Sequence, residues 1–129
     1  MITYEELEEM LDQIAYEIPR DFFKELNGGI VLSPNSRMHP ESSGKSDLYI
    51  LGEYHNDRRG VGGLGRYIII YYGSFSQLYA NHPYDIQRKR LRDVLIHEFT
   101  HHLESLAGER DLEIKDKEFM EKYRLKTGL

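Results

Sequence analysis

Residues 85–106 read DIQRKRLRDVLIHEFTHHLESL, and their pattern decides the fold. Ile86, Leu91, Val94, Leu95, Phe99, Leu103 and Leu106 recur at mostly helical spacings, which predicts one long helix with a broad apolar arc. Inside it, His97-Glu98-Phe99-Thr100-His101-His102 spells H-E-x-x-H with one further histidine. At 100° per residue, His97 and His101 point within about 40° of each other and sit roughly 6 Å apart along the axis, off the apolar arc. Two imidazole nitrogens so placed can converge on one tetrahedral metal ion at about 2.0 to 2.1 Å each, and zinc is the expected ion. Glu98 points about 100° away, too far round to join them as a ligand, but able to reach the water beside them as general base. His102 points back toward the apolar arc and is expected to pack or to support the site. In a shuffled chain of this composition the motif would arise with probability of roughly 0.03, and its helical context lowers that further.

Composition narrows what such a site can serve. With 129 residues, 40% of them apolar, the chain is expected to form a single domain, residues 1–129, that buries a core without staples. Its lack of cysteine excludes a disulfide framework, a thiolate zinc site and a cysteine nucleophile. A net charge of −5, with no basic run longer than Arg88-Lys89-Arg90, argues against nucleic acid as a partner. No charged leader precedes an apolar run, and no apolar stretch approaches the length of a membrane span, so a soluble, cytoplasmic protein is expected, with no membrane partner.

The rest of the chain predicts an α+β order. Thr3 and Glu6 form a capping box ahead of a helix from Tyr4 to about Glu17, with Leu7, Met10, Leu11 and Ile14 buried. Pro19 starts a second short helix through Phe22, Phe23 and Leu26, ended by Asn27-Gly28-Gly29. Residues 30–32 are a short strand, 33–46 a loop, and 47–55 and 66–72 the two clear strands. Residues 74–80 form a helical turn. Gly108 closes the long helix, and residues 116–125 form a last helix with Phe119, Met120 and Tyr123 inward. The run Gly60-Val61-Gly62-Gly63-Leu64-Gly65 matches the dinucleotide fingerprint by letter, but a strand follows where the fingerprint needs a helix, so it reads as a hairpin loop near the cleft.

The run His97 to His102, the segments Leu51-Gly52-Glu53-Tyr54 and Tyr67-Ile68-Ile69-Ile70-Tyr71-Tyr72-Gly73, and the small size together resemble the bacterial mini-zincins, a zincin-like metallopeptidase family. The resemblance implies a minimal zincin-like fold, a peptide or protein substrate lying along an edge strand, and zinc held by His97 and His101 with Glu98 as base. The peptide deformylase variant of the motif, which uses a cysteine as third ligand, is excluded. The family pattern continues as H-E-x-x-H-x-x-G-x-x-D, whereas this chain has Glu104 in the glycine slot and Ala107 in the aspartate slot. The third ligand is therefore displaced or lost. Glu104, Asp111, Glu121 and Asp116 are the candidates, and Asp116 is favoured because its surroundings look like the family's stretch around its aspartate and because an acid suits a helix start. An N-cap is the plainer role for Asp116.

Glu53, Tyr54 and His55 at a strand end are candidates to face the cleft, where a tyrosine could stabilise an oxyanion. Tyr71 and Tyr72 are candidates to line the substrate groove. The expectation is thus a zinc metallopeptidase in which water attacks directly, with a catalytically inactive metal-binding or protein-interaction module as the alternative. A metal-dependent RNA-processing hydrolase of the three-histidine type would need histidine where Ala107 stands.

Overall fold

In the computed structural model, residues 1–40, 48–57, 63 and 65–110 are described, the last two by backbone alone. The fold is α+β: a three-stranded sheet with helices packed around it. Helix α1 spans Tyr4–Glu17, and its start is set locally by the expected capping box, with Thr3 Oγ1 accepting from Glu6 N and Glu6 Oε1 from Thr3 N. Its stripe of Leu7, Met10, Leu11 and Ile14 is buried. Each such side chain stabilises the fold by roughly 1.5 to 3 kcal/mol relative to exposure.

The chain then makes a single 3₁₀ turn, Arg20–Phe23, shorter than the helix expected to reach Leu26. Glu25 takes φ +62°, which breaks the helical path and turns the carbonyl of Lys24 to an outside partner. Strands β1 (Gly29–Ser33), β2 (Gly52–Asp57) and β3 (Gly65–Tyr71) follow in the order β1-β3-β2, with β1 parallel and β2 antiparallel to β3. β2 begins later than its composition suggested. Residues 48–50 bond instead to the preceding loop, through His39 N to Leu48 O and Ile50 N to Arg37 O, with Met38 opposite Tyr49. β3 opens at Gly65 with no helix, so the glycine-rich run has no dinucleotide-binding context; most of that run lies outside the described residues.

Helix α2 is a full helix, Tyr72–Tyr79, and α3 runs Tyr84–Arg110. Gln87, buried, donates to the Tyr79 and Ala80 carbonyls and so ties the two together. Two expectations for α3 fail. Ile86 is exposed because the helix begins beyond the edge of the core, and Gly108 lies within the helix instead of ending it. A glycine costs a helix only about 1 kcal/mol, which the burial of Leu106 just before it offsets. The helix expected over residues 116–125 lies outside the described residues.

One face of β3, with Ile68 and Ile70, packs with α1 and with Leu91, Leu95, Ile96 and Phe99 of α3 to form the core. α3 also runs along the edge strand. Residues of β2 that share this face meet it in sequence: Gly52 at Val94, Tyr54 at His102 and Asn56 at Ser105. A Cβ on Gly52 would come within 2.9 Å of Val94 Cγ1 and 3.3 Å of the Ile69 carbonyl, so only glycine permits this approach. Gly52→Ala is expected to cost about 1 to 3 kcal/mol by overpacking, read as a lower denaturant midpoint at unchanged slope; an unshifted midpoint would show that helix and strand separate freely.

Candidate metal centre

The crevice between α3 and the outer edge of β2 collects the motif. α3 holds His97 and His101 on its exposed side and Glu98 turned inward, only 6% exposed. The two imidazoles stand nearly perpendicular, at 87°, with their Nε2 atoms 3.1 Å apart. Two nitrogens on a tetrahedral zinc would be about 3.3 Å apart, so the pair fits one ion with almost no adjustment. A hollow of about 670 Å³ opens beside them, lined also by Glu53, Tyr54, Glu104 and Ser105.

Glu98 is a buried carboxylate that makes no hydrogen bond among the described residues. Burial pushes its pKa from the ordinary 4.5 to about 7, with the nearby Glu53 carboxylate adding to the rise. Glu53 goes the other way. Its partial burial opposes ionisation, but bonds from Tyr71 Oη at 2.6 Å and His55 Nε2 at 3.3 Å, together with the Arg37 ion pair at 3.0 Å, hold its carboxyl below the usual value. Tyr71 is correspondingly raised to about 12, by burial and by Glu53. The site thus holds two carboxylates with pKa values driven apart by their surroundings.

His102 is fully buried and bridges two elements, with Nε2 2.8 Å from the Lys24 carbonyl and Nδ1 2.9 Å from Tyr54 Oη. Burial lowers its pKa, and the Lys24 bond opposes this only in part, so the ring is neutral at neutral pH. Since a carbonyl only accepts, Nε2 carries the proton and bare Nδ1 accepts from Tyr54. The Tyr54 hydroxyl therefore directs its proton at His102 and away from the groove, which answers the oxyanion role expected of it. Tyr71 likewise donates to Glu53, and Tyr72 Oη donates to the Ile2 carbonyl at 2.8 Å, behind the sheet edge rather than in the groove.

Among the described residues no group of three His, Cys, Asp or Glu is placed to hold a metal, so Glu104 does not complete a triad with His97 and His101. Asp111, Asp116 and Glu121 lie outside the described residues. Of the strand-end group 53–55 expected to face the cleft, Glu53 and Tyr54 line the hollow; what the sequence did not show is the tie of Glu53 to Arg37, His55 and Tyr71, which depends on how β2 pairs with β3.

No protein-family model matches the chain, and neither does any curated protein. Among solved structures, a conserved hypothetical protein from Thermus thermophilus is 33% identical, with a TM-score of 0.70 across 83% of this chain and 99% of that one. The chain belongs to the family of that Thermus protein. Its name assigns no activity. The small α+β fold is thus shared, and no described helix of this chain is long and apolar enough to cross a membrane.

His102→Leu is expected to cost about 2 to 4 kcal/mol in metal-free protein, because it leaves the Lys24 carbonyl and the Tyr54 hydroxyl without their partner. The pH response follows from the sign of the shift. The folded state keeps His102 neutral while the unfolded chain takes up a proton as pH falls through about 6.5, so its contribution is present above that pH and lost below it. Urea unfolding at pH 7.5 and 5.5 should show a change on acidification that is more favourable in His102→Leu than in wild type; the comparison removes the opposite contribution of Glu98, whose raised pKa favours the fold as pH falls. Equal changes would contradict a neutral buried His102.

Proposed function

We propose that this protein is a zinc-dependent metallopeptidase of minimal, zincin-like build, resembling the mini-zincins, in which Glu98 is the general base. The observation that carries this reading is the convergence of His97 and His101 Nε2 atoms beside a buried, unbonded carboxylate at the mouth of a groove. His97 and His101 would hold the zinc ion, and we assign the third ligand to Asp116 on the sequence resemblance. When bound, the ion supplies Lewis acidity toward the scissile carbonyl and the attacking water.

The chain's own groups do the rest. The substrate is an extended peptide lying along β2. Tyr71 N donates to Leu51 O, which makes those two a hydrogen-bonded pair; ladder alternation then turns the backbone groups of Gly52, Tyr54 and Asn56 outward, where a peptide can pair with them. This brings a backbone carbonyl of the substrate over the motif. Glu98 takes a proton from water as its oxygen attacks the carbonyl carbon, then delivers it to the departing amine as the C–N bond breaks, leaving a carboxylic acid and an amine that exchange the remaining proton to become carboxylate and ammonium. A base whose free pKa is near 7 suits this exchange at neutral pH. We place the activity in the cytoplasm, where a domain with no cysteine needs no oxidising compartment.

Purified protein should take up about one zinc per chain, and His97→Ala and His101→Ala should abolish uptake by equilibrium dialysis. Asp116→Ala should weaken it by at least 10- to 100-fold if this residue is a ligand, and leave it nearly unchanged if it is only a cap. Glu98→Gln should keep zinc and fold while cleavage of a mixed peptide library falls by about 10² to 10⁴. Products equal in both proteins would refute the role of Glu98. Zinc uptake with no cleavage would favour an inactive metal-binding module.

A further inference from the structure

The groove has two chemically different sides. Toward the C-terminal end of α3, the hollow of about 670 Å³ presents the carboxylates of Glu53, Glu98 and Glu104, and among the described residues no lysine or arginine lines it. Glu53 is already matched by Arg37 and Tyr71, but Glu104 has no partner among the described residues. Glu98, which lines this hollow while only 6% exposed, is the second observation that the space is built to receive a polar group, because a buried carboxylate without a hydrogen bond is costly unless something joins it. Toward the N-terminal end of α3, a second hollow of about 430 Å³ is walled by Tyr49, Ile50, Leu51 and Val94. Of its charged lining groups, Glu98 is shared with the first hollow and the other two are engaged elsewhere: Arg90 Nε with Tyr79 Oη at 2.8 Å and Asp93 with Lys89 at 3.4 Å. Both hollows share His97, Glu98, Ile50 and Gly52, so the motif stands at their junction.

The geometry points to a substrate preference: the groove takes a lysine or arginine side chain on the Glu104 side and an apolar side chain on the Val94 side, so the bond presented to Glu98 joins a basic and an apolar residue. This rests on the reading of the groove as a peptide site. A carboxylate one turn beyond His101, roughly 4.5 Å further along the axis, lies where the side chain of the next substrate residue would extend. An exposed pair of this kind contributes modestly to affinity and acts mainly as a filter, admitting a cation and repelling an anion.

Fluorescein-labelled decapeptides with central Leu-Lys, Lys-Leu, Leu-Arg, Leu-Ser and Leu-Glu pairs test it, by anisotropy with metal-free protein and by mass spectrometry of products with zinc-loaded protein. Both readouts use wild type, Glu104→Gln and Glu104→Lys; Glu104 is exposed, so both variants should fold. Wild type should bind the Lys and Arg peptides about 3- to 10-fold more tightly than the Ser peptide. Glu104→Gln should lose about 3-fold of that preference, and Glu104→Lys should reverse it in favour of the Glu peptide. Equal affinities for the Lys, Ser and Glu peptides, or a preference that survives Glu104→Lys, would overturn the inference even if peptides are cleaved. A Glu104-dependent preference without any product would support the groove chemistry and defeat the peptidase reading instead.

Discussion

The site depends on how closely α3 can lie against the edge strand β2. At Gly52 the strand backbone meets Val94 with no room for a methyl group, and from that contact Tyr54 reaches His102 and Asn56 reaches Ser105 in step along the helix. This register leaves His97, Glu98 and His101 beside the outer strand of the described sheet. A helix standing further out would keep the two histidines paired, since their spacing is intrahelical, but would open Glu98 to water and separate it from the strand. The histidine pair is thus local, whereas the environment of the carboxylate is tertiary.

His102 shows how the approach is held. Its ring joins the Lys24 carbonyl, 78 positions earlier in the chain, to Tyr54 on β2, so one side chain ties the 3₁₀ turn, the strand and the helix together. The break at Glu25 sets where the Lys24 carbonyl points, and His102 satisfies it there. A neutral histidine fits the place where a charged or apolar residue would not. It supplies one donor and one acceptor, and the two buried groups need one of each.

What was legible in the sequence follows the same division between local and distant causes. Helix α1 was readable to the residue because Thr3 and Glu6 close its box within four positions, and the histidine pair because it repeats at the helical period. The β2 boundary was not, since residues 48–51 have strand composition but residues 48–50 find partners in the loop at 37–39, a pairing no periodicity encodes. Gly108 misled because its low propensity is a weak term against the packing of Leu106. The inward position of His102 was readable from its angle on the helix. Its two partners were not, and neither was the network that holds Glu53, which depends on which strand the sheet places at its edge.

The burial of Glu98 is where stability and function pull apart. A carboxylate largely withdrawn from water with no hydrogen bond disfavours the metal-free fold where it is ionised, and burial together with the nearby Glu53 charge raises its pKa to about 7 accordingly. Folding alone would favour glutamine or an apolar residue there. In the metal-free protein the same burial keeps the proton affinity of the group near neutrality, which would suit the water-activating base proposed for it better than a solvated glutamate near 4.5. A cation held at His97 and His101 would lower the cost by giving the charge a counterpart, so binding and folding would reinforce each other at this crevice. The destabilising residue and the two exposed imidazoles therefore make physical sense together, and neither does alone.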